Sequence, residues 1–251
     1  MRNVISSSLT RDSLKFRLDE ILVQLKLAPS RSQAKLLIQE GKVLVNGQPI
    51  TKASHSYETD AKITLTTNEQ YVSRGAQKLA KAIERFKIDP KDKIIADVGA
   101  STGGFTDYLL QHGAKKVYAI DVGHSQLAPQ LETDPRVVNM ESTDIRTLKN
   151  LPEKIDFAVV DLSFISLRLT LPAIAKLTST IITLFKPQFE AGPQLVPRDG
   201  VIKDPETIQL VLTEFEQWCT ENHFQIEKNT PSPIKGKGGN QEILLLISSR
   251  K

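Results

Sequence analysis

Apolar residues recur at helical spacing at Leu18, Ile21, Leu22 and Leu25, and the stripe ends at Ala28-Pro29, where proline disfavours helix for the residue before it. A first short helix is expected there. Ser30 then stands in capping position with Gln33 three residues on, Ala34, Leu37 and Ile38 form one buried face, and Gly41 supplies a left-handed stop, so a second helix follows. Val43-Leu44-Val45 reads as a strand, Asn46-Gly47 as a two-residue hairpin turn, and Ile63-Thr64-Leu65 as the returning strand. Residues 67–74 carry no buried pattern and read as a linker. Beyond it the period changes. Ile94–Val98, Val117–Ile120, Val137-Val138, Phe157–Val160 and Ile181–Phe185 are short apolar strand runs with helical segments between them. Phe224–Ile226 and Glu242–Ile247, either side of a polar Pro/Gly loop at 231–240, read as a closing hairpin. The expected organisation is a small α+β domain at 1–66, a linker at 67–74 and an α/β domain at 75–251, whose sheet is mainly parallel with helices on both faces.

Composition narrows the class. The longest unbroken apolar stretch, Ile243–Ile247, is far short of the roughly 20 residues of a spanning helix, and the first residues lack a signal-peptide apolar core, so a cytoplasmic protein without membrane partners is expected. The single Cys219 has no disulfide partner, and His55, His112, His124 and His223 show no metal-ligand spacing, so no metal is implied. The formal charge of +4 lies in the first quarter of the chain: residues 1–66 hold ten Lys/Arg against six Asp/Glu, and the remainder is balanced. Binding of a polyanion is expected of the small domain.

The strand Ile94–Val98 runs into a turn of small residues and then a helix. Asp97, Gly99, Ser101, Gly103, Gly104 and Phe105 are therefore candidate cofactor-binding positions, the glycines allowing close backbone approach. Asp121 closes the next strand 22 positions beyond Gly99, where a carboxylate can hold a ribose diol. Ser101 replaces the middle glycine of the dinucleotide fingerprint, which favours S-adenosylmethionine over NAD. Asp144, Asp161 and Lys186 also fall at carboxyl ends of strands, where ligands of such sheets bind.

The runs Arg17-Leu18-Asp19, Ser30-Arg31-Ser32-Gln33-Ala34 and Gly41-Lys42-Val43-Leu44-Val45-Asn46-Gly47 resemble the S4 RNA-binding domain. That resemblance implies that Arg31 and Lys35, with Arg17 and Lys42, contact RNA phosphates. Lys78, Asp161, Lys186 and Glu242, each in a matching local frame, resemble the Lys-Asp-Lys-Glu tetrad of FtsJ-type ribose 2′-O-methyltransferases, which have a Rossmann-like fold. A ribose hydroxyl must lose its proton as it attacks a methyl donor. Lys186 is taken as the general base and Asp161 as the group orienting it, with Lys78 and Glu242 placing the hydroxyl. An S4 unit followed by an FtsJ-like unit resembles the TlyA family, historically called haemolysins. Supporting phrases are Val160-Asp161-Leu162-Ser163-Phe164-Ile165-Ser166, Lys186-Pro187-Gln188-Phe189-Glu190 and Gly238-Gly239-Asn240-Gln241-Glu242. The resemblance implies S-adenosylmethionine-dependent methylation of cytidine ribose in ribosomal RNA, on an assembled ribosomal subunit or complete particle; separately, a monomer is expected. One departure is Glu69-Gln70-Tyr71-Val72, where actinobacterial members carry Arg-x-Trp-Val. The competing readings are a membrane-active haemolysin, an NAD-dependent dehydrogenase and a catalytically silent RNA-binding ribosome factor. Membrane leakage, the choice between NAD and S-adenosylmethionine, and turnover separate them.

Overall fold

The apolar stripes fold as the two expected helices, but more strands surround them than periodicity indicated. The structure, a computed structural model, describes residues 15–39, 41–58, 61–65 and 71–250 and, of Lys237, the backbone alone. The N-terminal extension at 1–14 and residues 67–70 of the expected linker lie outside the described residues. The chain divides into two units, Met1–Asn68 and Glu69–Lys251.

The first unit runs β1 (Lys15–Arg17), α1 (Leu18–Gln24), α2 (Arg31–Gln39), β2 (Val43–Val45), β3 (Gln48–Ile50), β4 (Ser56–Glu58) and β5 (Ile63–Leu65). Ser30 Oγ accepts the Gln33 N–H (3.2 Å), as a capping residue should. Leu18, Leu22, Ala34 and Ile38 close with Val43 and Val45 into one core. Asn46 and Gly47 both have positive φ (51° and 79°), the geometry of a tight hairpin turn. The strand returning from that turn is β3, and β5 pairs on the other edge of β2, so the expected hairpin partner is corrected. β1 pairs separately with β4. Strands of three residues, one of them containing Pro49, are too short to display a period of two.

Three of the cations expected to meet RNA converge on one buried carboxylate. Asp19 has a fully buried side chain; Arg17 Nε and Arg31 Nη2 each lie 3.0 Å from it, and Lys35 Nζ 4.0 Å. Burial works against the charge on Asp19, but the bonds from Arg17 and Arg31 outweigh it and hold the carboxyl below its ordinary range. The cations themselves remain about half exposed, so they serve the fold and still present donors outward. Lys42 differs from expectation: it is only 9% exposed. Gly41 (φ 72°) ends α2 with N–H bonds from Gly41 to Ile38 O and from Lys42 to Leu37 O, a Schellman arrangement that folds Lys42 back onto the helix it follows. Asp19→Asn should destabilise the full chain's first transition by about 1.5–3 kcal/mol, the range for hydrogen bonds to charged groups. Because the native carboxyl titrates low, its contribution is complete above the unfolded carboxyl's pKa and fades as pH falls through the native one, so the wild-type advantage should vanish in acid. A variant melting with wild type at pH 7 would contradict this.

The second unit runs α3 (Gly75–Phe86), β6 (Ile94–Val98), α4 (Gly104–Gln111), β7 (Lys116–Ile120), α5 (Pro129–Glu132), β8 (Val137–Met140), β9 (Phe157–Val160), α6 (Leu167–Ile174), β10 (Thr180–Phe185), α7 (Pro187–Glu190), α8 (Pro205–Glu221), β11 (Phe224–Pro231) and β12 (Ile243–Ser249). Its seven strands lie in the order β11-β12-β10-β9-β6-β7-β8. β10 to β8 are parallel, while β12 is antiparallel to both β10 and β11, which makes the expected closing hairpin. Alternate strand residues feed two cores: Ile95, Val159 and Ile182 pack with Leu79 and Leu109 of α3 and α4, whereas Ala96, Val160 and Ile181 pack with Leu171 and Phe215 of α6 and α8. Helices therefore cover both faces, as near-continuous apolar strands require. No helix among the described residues is long and apolar enough to cross a membrane.

Residues 71–74, read from sequence as linker, are packed onto this unit. Val72 N–H donates to Asp107 Oδ2 (2.7 Å), and the Tyr71 ring lies against Tyr108 (5.5 Å between centroids). Sequence could not show this, because the surface they cover is made by α4.

Candidate active site

Chain order along the sheet reverses between β6 and β9, and a crevice at such a switch point is where open α/β sheets hold ligands. Four charged side chains from distant segments meet at this edge. Lys78, on the inner face of α3, places Nζ 2.7 Å from Glu242 Oε2 and 3.6 Å from Asp161 Oδ2. Lys186, directly after β10, places Nζ 2.5 Å from Asp161 Oδ1 and donates to Ser163 Oγ (3.0 Å). Asp161 thus bridges the two lysines, and Glu242, just before β12, pairs with Lys78. Lys78, Lys186 and Glu242 side chains are buried and Asp161 is partly so.

The electrostatics distinguish the lysines. Burial disfavours the Lys78 ammonium, yet Asp161 and Glu242 together overcome it and raise its pKa above the ordinary value, so Lys78 is held protonated. Burial likewise opposes the charge on Asp161, and Lys186 and Lys78 overcome it, leaving an ionised carboxylate. Among the described residues Lys186 faces one carboxylate, Asp161, and one neutral hydroxyl, Ser163, where Lys78 faces two carboxylates.

The turn after β6 stands beside this set. Gly99, Ser101 and Gly103 all have positive φ (85°, 50° and 91°). Asp121 Oδ2 accepts the Ser101 N–H (2.8 Å) and Oδ1 the Gly123 N–H (2.7 Å), so its carboxylate fixes two turns at once and keeps its remaining lone pairs for a ligand. Asp97 is fully buried; Oδ2 accepts the Thr106 hydroxyl (2.7 Å), while Oδ1 finds no donor among the described residues. Burial pushes its pKa up to about 7. An orphaned buried acceptor beside an open-backbone turn fits a ligand that brings a cationic or N–H group.

Other expected positions serve packing. The Phe105 side chain is in the apolar core beneath α3, and a side chain at Gly103 or Gly104 would run into Leu131 or Ser73. The glycines there are explained by close packing of the protein on itself. Asp144, after β8, is bound bidentately by Arg146 in its own turn and stays apart from the tetrad's ion pairs. Sequence reading missed Ser163, which touches Lys186, and Phe164, which is 86% exposed at φ 66° and lies against Phe189 (5.2 Å). Their position between Asp161 and α6 was the available signal.

A Rossmann-like sheet with this glycine turn, and with two lysines and two carboxylates at its switch point, defines a methyltransferase, here joined to a small RNA-binding type of unit. The model of the FtsJ-like methyltransferases matches residues 71–248, and that of the S4 domain matches residues 16–63. The chain belongs to the FtsJ-like methyltransferase family and, within it, to the S4-linked TlyA group. It is 43% identical to a candidate rRNA methyltransferase, YqxC, of Bacillus subtilis over 93% of this chain and 85% of that protein. It is 40% identical to the 16S/23S rRNA (cytidine-2′-O)-methyltransferase TlyA of Mycobacterium tuberculosis, over 93% of this chain and 90% of that protein. A solved candidate hemolysin from Streptococcus thermophilus superposes with a TM-score of 0.73 at 36% identity, covering 94% of this chain and 89% of that one.

Proposed function

We propose that this protein methylates the 2′-hydroxyl of a cytidine ribose in ribosomal RNA, using S-adenosylmethionine, with the S4 unit gripping the RNA. The observation that carries this reading is the convergence of Lys78, Asp161, Lys186 and Glu242 beside the Gly99 turn. When bound, S-adenosylmethionine supplies a methyl made electrophilic by a sulfonium centre. Asp97 Oδ1 and the outward lone pairs of Asp121 are the acceptors that would hold the cofactor's ammonium and ribose hydroxyls. Asp144, at the neighbouring strand end, is the further candidate.

The chain's own residues handle the proton. The ribose oxygen would exchange its O–H bond for a bond to the methyl carbon as that carbon is released from the sulfonium sulfur, and Lys186 Nζ, in its uncharged amine form, would take the proton. Lys78, fixed between two carboxylates, stays charged and keeps Asp161 and Glu242 in place. Asp161 orients Lys186 and offsets the charge it gains. Arg31 and Lys35, with Arg17, offer the donors for RNA phosphates in the S4 unit, so this part of binding should weaken with salt.

Purified protein should transfer labelled methyl from S-adenosylmethionine to ribosomal subunits, and the product should resist alkaline cleavage, because a methylated 2′-oxygen cannot attack the neighbouring phosphate. Label that remains alkali-sensitive would mean base methylation and refute the ribose assignment; absence of transfer to either subunit would refute the ribosomal one.

A further inference from the structure

Glu190, four residues beyond Lys186 at the end of α7, is only 6% exposed, and the roles above do not use it. Its carboxylate is divided between two donors of a neighbouring segment: Oε2 accepts the Ser166 hydroxyl (2.6 Å) and Oε1 the Leu167 N–H (2.7 Å). Ser166 already caps α6, its Oγ accepting the Arg168 N–H (3.1 Å). A second carboxylate is therefore more than that helix end needs. Arg168 Nη1 also donates to the Glu190 backbone carbonyl (3.1 Å), and its guanidinium lies over the Phe215 ring at 5.7 Å. Glu190 and its surroundings tie two chain segments together.

Those segments are the ones leaving β9 and β10. At their near end Lys186 meets Asp161 and Ser163; midway Phe164 lies against Phe189; at the far end Glu190 holds Ser166 and Leu167. The loop between has a stressed point, since Phe164 sits at φ 66°, a conformation unfavourable for any residue with a Cβ. Such a conformation persists only where the surroundings impose it. With the far clamp cut, Phe164 can relax to negative φ, and Ser163 next to it swings away from Lys186.

We infer that Glu190 is a positioning residue for methyl transfer, holding the Ser163–Phe164 loop against the Lys186 segment so that the Lys186 amine keeps its aim; this rests on the methyl-transfer reading above. The test uses the full chain as wild type, Glu190→Ala, Glu190→Gln and Ser166→Ala, with kcat and KM on ribosomal subunits, S-adenosylmethionine affinity by calorimetry, and melting temperature. Glu190→Ala should lower kcat about 10–100-fold, the scale of a misplacement near 1 Å, with KM and cofactor affinity within about threefold. Glutamine keeps an acceptor for Leu167 N–H and an amide for Ser166 Oγ, so it should restore most of kcat. Ser166→Ala removes the Oε2 bond together with the α6 cap to Arg168 N–H but leaves the Leu167 bond to Oε1, so it should fall between in kcat, which provides the answer if Glu190→Ala does not fold. Unchanged kcat in Glu190→Ala or, failing its folding, in Ser166→Ala would overturn the inference. So would kcat, KM and affinity worsening together with no rescue by glutamine. A wild-type chain that transfers no methyl would overturn the underlying reading instead, and the inference with it.

Discussion

Lys186→Met should lower kcat for methyl transfer by about a thousandfold, the middle of the range for losing a positioned proton acceptor, while S-adenosylmethionine affinity should stay within about twofold. The two effects separate because the turn at Gly99–Gly104 is held by Asp121 and α4, and Lys186 takes no part in it. Methionine retains the length of the stem, and Asp161 keeps Lys78 as a counter-ion 3.6 Å away, so the fold should tolerate the change. Lys78→Met makes the informative contrast. It leaves Glu242 without its lysine in a buried site, so it should lower the melting temperature as well as the rate. Single-turnover transfer with saturating RNA, alongside calorimetric cofactor binding, checks both variants. If Lys78→Met proved the worse catalyst with its stability intact, the assignment of the base to Lys186 would be reversed.

The large-unit architecture was legible because its strands are buried on both faces and read as apolar runs separated by helical pattern. Once the sheet is parallel, the places where Asp121, Asp161 and Lys186 cluster follow from topology. What sequence did not show depends on contacts made by backbone conformation. Ser163 reaches Lys186 through a loop that carries Phe164 at positive φ, and nothing local announces it. Asp19 was visible as part of a motif, but its role as the buried centre of Arg17, Arg31 and Lys35 emerges only when α1 and α2 pack together. Lys42, named with them from the motif, is only 9% exposed, a burial that depends on the Schellman turn after α2 and that the motif does not display. Phe105 lay within the cofactor motif, but its side chain turns into the core under α3.

Gly99→Val should disable cofactor binding and chemistry together, because this residue is where the two halves of the site touch. Gly99 has φ 85°, and its N–H donates to Ile120 O (2.8 Å), so the turn cannot simply rotate away. A Cβ built there would lie 2.6 Å from the Asp161 carbonyl oxygen and 3.0 Å from its carbon, well inside contact distance. The obstacle is backbone, which gives way only if the end of β9 moves. A β-branched residue at positive φ adds its own penalty, so a loss of about 3 kcal/mol is expected, or roughly 6–12 °C in melting temperature for a unit of this size. Relief by shifting β9 carries Asp161 away from Lys186 and Lys78, so kcat should fall even at saturating cofactor. Gly103→Ala is the control: its φ is also positive (91°), but its Cβ would press on Leu131 and Leu127 side-chain ends, which can adjust without disturbing Asp161. That variant should weaken S-adenosylmethionine binding and leave kcat at saturation near wild type. Equal kcat losses in the two variants would show that the turn acts through the cofactor alone, and the contact between Gly99 and Asp161 would then have no part in aligning the lysines.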